Sequence, residues 1–246
     1  MRRFPWVLTV ASAVVFAVLM TLGVWQVQRL QWKEGLIARA EAAADAPPAA
    51  PAQVLGADDP EFLRVALTCP GLATAPFVEL QSIHEGRPGV RLISACRHPG
   101  YPRTLLIDRG FVADEISARP PVSASDAPVE LIAQVRATPA PGPMALAAEG
   151  RRFFARDNAA MARGLGVEGP MAPWTLFATD SSNPDWRALQ PTAPPAAFAN
   201  NHLGYAITWF GLALALAGVY IALLRRKLSP APAAAPREDD GEERPS

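Results

Sequence analysis

Few side chains in this sequence have the chemistry to bind or react: three histidines, two cysteines, and aromatic and basic residues flanking two apolar runs. His84 and His98 fall in expected turns and read as solvated surface residues. His202 differs, because it opens a long apolar run, and an ionisable ring at the mouth of a membrane helix is costly unless it has a partner. At 100° per residue, His202, Tyr205 and Trp209 fall within about 60° of one another on one helix face. That face could meet a cofactor, another protein or lipid. The plainer reading is an aromatic belt with a histidine at headgroup depth. Trp25, Arg29 and Trp32 follow i, i+4, i+7 spacing, so two indoles flank one guanidinium. Interfacial anchoring accounts for the trio, and Arg29 could also receive an anionic group, such as a haem propionate, at the level of His202.

Other chemistry is thin. Cys69 and Cys96 cannot make a zinc finger, an iron–sulfur cluster or a Cys-x-x-Cys redox pair. Each lies on the apolar side of an expected strand, either as a buried small hydrophobe or, in an oxidising compartment, as half of a disulfide. No P-loop, Rossmann glycine pattern or Ser/His/Asp signature is present, which weighs against an ordinary enzyme. The pairs Asp157/Asn158 and Asp108/Arg109 are the visible seeds of a polar catalytic pocket, and helix caps or salt links explain them more simply.

The elements that must carry these residues follow from where the apolar residues sit. The chain has 246 residues, 50% of them apolar, with mean hydropathy +0.11 and 23 basic against 23 acidic side chains. With only two lysines, Lys33 and Lys227, and 26 prolines, neither a nucleic-acid partner nor a coiled coil is expected. The stretch from Phe4 to Gln28 has no charged residue and exceeds the roughly 20 apolar positions needed to cross a bilayer. It is too long, and runs too far into Trp25 and Gln26, for the short apolar region of a cleaved signal peptide. A second uncharged run, His202 to Leu224, stops on Arg225, Arg226 and Lys227. This basic flank puts the C-terminus in the cytoplasm and, with two spans, the N-terminus as well. Gly204, Thr208, Gly211, Ala215, Gly218 and Ala222 form a stripe of small residues on the second helix, opposite His202, and Thr9, Ala13, Ala17 and Thr21 form one on the first. If these two stripes pack together, as small residues permit, His202 and Trp209 turn away from the helix pair.

Between the runs, alternation bounded by turn residues predicts strands around Leu63 to Cys69, Val78 and Leu80, Val90 to Cys96, Leu105 to Val112, Val129 to Ala137 and Trp174 to Thr179. A short helix over Arg156 to Leu165 is capped by Asp157 or Asn158. The expected fold is therefore membrane-anchored α+β. Two transmembrane helices packed as a pair flank one mostly antiparallel, barrel-like extracytoplasmic domain with a short helix. The divisions are residues 1–5, cytoplasmic; 6–28, first transmembrane helix; 29–60, juxtamembrane segment and Ala/Pro-rich linker; 61–199, β-rich domain; 202–224, second transmembrane helix; and 225–246, a cytoplasmic tail too polar and proline-rich to fold.

Four segments resemble a known family in order and spacing: LGVWQVQRLQWK (Leu22 to Lys33), LLIDRGFV (Leu105 to Val112), FFARDNAAMARGLG, and NNHLGYAITWFGLA beginning at Asn200. Together they resemble the Surfeit locus protein 1 family of cytochrome c oxidase biogenesis factors. The last resembles that family's motif Asn-Asn-His-Leu-x-Tyr-Ala-x-Thr-Trp-Phe, and the resemblance runs from about residue 20 to 225. Gly204, Asp108 and Phe111 depart from the family's usual Gln, Asn and Trp. The resemblance implies a non-catalytic assembly factor of the bacterial plasma membrane with a periplasmic domain. Its implied partners are cytochrome c oxidase subunit I, haem a synthase and the bilayer. It implies that His202, as axial ligand of the haem iron, and Trp209 contact haem a during its insertion; helix face and spacing, as above, put Tyr205 and Arg29 beside them. The alternative is a scaffold that holds subunit I or haem a synthase and binds no haem.

Overall fold

The computed structural model describes residues 4–194 and 200–229. The basic pair Arg2 and Arg3 and most of the polar C-terminal tail lie outside the described residues. Two compact units emerge, one from Met1–Glu34 with Ala199–Ser246 and the other from Gly35–Phe198.

Helix α1 (Trp6–Asp45) and helix α4 (His202–Leu228) are both long and apolar enough to cross a membrane. Charge alone places the expected end of the first span at Gln28, but the helix continues, because LIARAEAAA, after Gly35, is rich in strong helix formers and no proline interrupts it before Pro47. Helix α4 ends on Arg225, Arg226 and Lys227, cations that suit the negative end of its dipole.

In the second unit the alternation predicted from sequence produces strands β1 (Arg64–Pro70), β2 (Phe77–His84), β3 (Arg87–Cys96), β4 (Thr104–Ala113), β5 (Pro128–Ala137), the two-residue β6 (Arg152–Phe153) and β7 (Met171–Ala178). They form one seven-stranded sheet ordered β1-β5-β7-β4-β3-β2-β6. The expected barrel-like closure is not found. The sheet is open and mixed, with parallel pairing of β4 to β7 and of β2 to β6 beside four antiparallel pairs. Both parallel contacts join strands far apart in the chain, so no local pattern announces them.

β4 sits mid-sheet and is buried at every position. Leu105 and Ile107 face a core shared with β1 and β5, through Val65, Leu67, Leu131, Ala133 and Val135. Leu106 points the other way, to Val78, Ile93, Phe153 and Met161. Met161 lies on helix α3 (Asn158–Gly164), whose cap is Asp157, accepting from the Ala160 N–H at 2.9 Å. Cys69 of β1 and Cys96 of β3 form a disulfide, Cα 5.4 Å apart, although three strands separate β1 from β3 in the sheet. The sheet therefore curls around the first core. The stretch expected to be a linker contributes to that core as well, since the short helix α2 (Pro51–Val54) and the next residue bury Val54 and Leu55.

Candidate functional site: the His202 seam and the buried arginines

In the membrane-type unit the helices meet along a seam unlike the one expected from the small-residue stripes. On α4 the covered positions include His202, Ala206, Trp209, Ala213, Leu216 and Tyr220, a 4-3-4-3-4 spacing, with Phe210 and Ala217 beside them. This is the a/d rhythm of helices packed at a shallow angle. Facing them on α1 are Thr9, Ser12, Leu19, Gly23 and Gln26. Thr9 Oγ1 lies 2.9 Å from Tyr220 Oη at one end, and Gln26 meets His202 at the other, so the pair is antiparallel.

The close approach is made by one glycine against one aromatic ring. A Cβ on Gly23 would lie 2.5 Å from Phe210 Cε1. Gly204, Gly211 and Gly218 have no neighbouring atom within 4 Å of a built Cβ, and Ala17 and Thr21 are exposed. The two stripes therefore do not pack together. Consequently His202 and Trp209 face α1 and do not turn away from it.

Of the expected site residues, the structure places His202 and Trp209 half-buried on the seam. Tyr205 is 56% exposed beside it. Arg29 is exposed and stacks over Trp32, 4.0 Å from the ring centroid. Trp25 presents an edge to His202, with centroids 6.4 Å apart. Gln26, to which sequence reasoning assigned no role, is the decisive neighbour. Its Oε1 lies 2.6 Å from His202 Nδ1 and the residue is 8% exposed. An amide oxygen only accepts, so in this amide orientation Nδ1 is the donor, and the neutral form of such a ring has its lone pair on Nε2. A carbonyl acceptor on one ring nitrogen is how proteins fix the tautomer of a metal-ligating histidine. The donor chemistry of His202 thus fits an axial ligand. A polar side chain near the end of the apolar run was the available signal for Gln26.

The β unit gathers charge of a different kind. Asp108 is fully buried and its Oδ2 receives Arg91 Nε at 2.7 Å and Arg156 Nη2 at 2.6 Å, while Oδ1 accepts from the Gly110 N–H. Gly110 has φ 133°, and a Cβ there would fall 2.3 Å from Gln190 O, where the chain pairs through Phe111. Arg109, also fully buried, has no carboxylate partner among the described residues and is held by Ser182, Ser94, Asn183 and the Ala73 carbonyl. Burial pulls its guanidinium down to about 10, which leaves it charged at neutral pH. The Asp108/Arg109 and Asp157/Asn158 pairs thus act as a salt link, a buried anchor and a cap.

Two apolar helices packed antiparallel, which enclose in sequence a curled mixed β domain stapled by one disulfide, fit a membrane protein that also carries a folded β unit. The SURF1 family matches residues 13–214, and the chain belongs to that family. It is similar to the Surfeit locus protein 1 of Homo sapiens, with 28% identity over 231 residues covering 85% of this chain and 74% of the human protein.

Proposed function

We propose that the protein is an assembly factor for haem-copper cytochrome c oxidase, anchored in a bacterial plasma membrane with both termini cytoplasmic. In this reading the β domain is periplasmic, and His202 receives haem a for delivery to subunit I. The single observation that carries the haem reading is the His202–Gln26 hydrogen bond, which leaves Nε2 as the free ligating nitrogen. Family membership supports the assembly role. The Cys69–Cys96 disulfide favours an oxidising compartment for the β domain.

Haem iron needs a neutral imidazole, and a single ligand on a half-exposed ring suits a carrier that must release its cargo. Gln26 holds the ring orientation, and Trp209, one heptad along from His202, offers an indole face on the same seam. Arg29, exposed on α1, is available to an acidic substituent near the membrane surface. Haem a synthase and subunit I are the implied donor and acceptor.

The test is complementation of a strain lacking this protein, reading haem a per subunit I in isolated membranes. His202→Ala should reduce that ratio sharply with normal membrane levels of the variant. An unchanged ratio would favour the alternative, a scaffold that holds subunit I or haem a synthase without binding haem.

A further inference from the structure

In the β unit, the end of β5 and the residues that follow it, with Phe177 of β7, line a cleft of about 350 Å³ together with Arg136, Thr138, Arg156 and several Ala and Pro residues. Its charge is unbalanced. Arg91 and Arg156 share the single carboxylate of Asp108, and Arg136 pairs with Glu61 at 2.9 Å, so three guanidinium groups meet two carboxylates. Arg91 and Arg156 both stack on Phe177, 5.3 and 4.7 Å from its centroid. None of these side chains is well hydrated: Arg91, Arg136 and Arg156 are 8%, 15% and 19% exposed.

An uncompensated buried cation is expensive unless an anion completes it. Arg156 Nη1 is buried with no hydrogen-bond partner, and so is Asn158 Nδ2 two residues on. A buried guanidinium donor left unpaired is rare enough to need a reason. Burial depresses the Arg156 guanidinium, Asp108 opposes that shift, and Arg91 and Arg136 add to it. The walls are apolar: Ala137, Pro139, Ala140, Pro141 and Pro194 together with Phe177.

We propose that the cleft between Arg136, Arg156 and Phe177 is a binding site for a phosphate carried on an apolar body. Arg156 and Arg136 line the cleft and bring two positive groups to it, in the fork geometry that guanidinium offers to oxyanions. The apolar walls take the substituent, which a free inorganic ion lacks.

The experiment uses the full-length protein in a neutral detergent and calorimetric titration with three probes: inorganic phosphate, butyl phosphate, and vesicles of phosphatidylcholine with or without phosphatidic acid. Butyl phosphate should bind more tightly than inorganic phosphate, because it also fills the walls. Arg156→Gln should weaken that binding by roughly ten- to a hundred-fold, the loss of one charge-assisted hydrogen bond. Ala140→Trp fills the cleft while leaving every charge in place, and it should weaken binding with the unfolding midpoint unchanged. This second variant keeps the test sharp should Arg156→Gln destabilise the fold. Binding by butyl phosphate supports a soluble ligand, and binding confined to phosphatidic acid vesicles supports a lipid headgroup. Absence of binding by all three probes, or binding indifferent to both variants, overturns the proposal.

Discussion

Gly23→Ala is the most informative test of the helix seam. A Cβ at this position would approach Phe210 Cε1, Cζ and Cδ1 to 2.5, 2.7 and 2.8 Å. Carbon atoms pack best about 3.5 to 4.0 Å apart, so the ring or the helix must give way by about 1 Å. Overpacking of that degree costs about 1–3 kcal/mol. Alanine also gains helix propensity over glycine, about 0.5–1 kcal/mol, and Gly211→Ala calibrates that gain because a Cβ at Gly211 meets nothing within 4 Å. The two variants should therefore differ by about 1–3 kcal/mol, with Gly23→Ala the less stable. Denaturation of the purified protein in mixed micelles, followed by tryptophan fluorescence, measures the difference. Phe210→Ala removes the obstructing ring, so Gly23→Ala should cost little in that background. Equal stability of Gly23→Ala and Gly211→Ala would refute the seam, and greater damage from Gly211→Ala would restore the small-residue stripe as the packing face.

Three further outcomes are expected. Replacing both cysteines, Cys69→Ala with Cys96→Ala, opens a loop spanning 27 residues, for which chain entropy gives about 3.5 kcal/mol of lost stability; chemical denaturation checks it, and an unchanged midpoint contradicts it. Asp108→Ala leaves Arg91 and Arg156 with no shared carboxylate and should cost about 3–5 kcal/mol, seen as a collapse of folded protein level. Alkaline phosphatase fused near Pro143 should be active, and the same reporter fused after Ser229 inactive; the reverse pattern would overturn the assigned topology.

Local pattern carried much of the fold into view. Alternation at Val65, Leu67 and Cys69, or at Leu131, Ala133 and Val135, marks the buried face of a strand because successive side chains alternate across a sheet. Asp157 announces α3 because its carboxylate can satisfy an orphan N–H. The open, mixed pairing of the sheet was not legible, since the parallel β4–β7 contact joins partners such as Thr104 and Met171, which are 67 positions apart. The helix seam was misread for another reason. A small-residue stripe permits close approach without requiring it, and the antiparallel pair instead sets one glycine against one phenylalanine. His202, Tyr205 and Trp209 were legible as one face. Which way that face points depends on Gln26, whose partner lies 176 positions away.

The central claim is that His202 offers Nε2 to haem iron because Gln26 holds Nδ1. Its most direct measurement is titration of purified full-length protein with haem a, reading the Soret band per folded protein. Wild type should develop a saturable band, Gln26→Ala should bind about ten- to a hundred-fold more weakly, the usual cost of losing the partner that orients a ligand, and His202→Ala should show none. Full haem occupancy in His202→Ala, or no band in wild type, would contradict the account and leave His202 a structural histidine bonded across the helix pair.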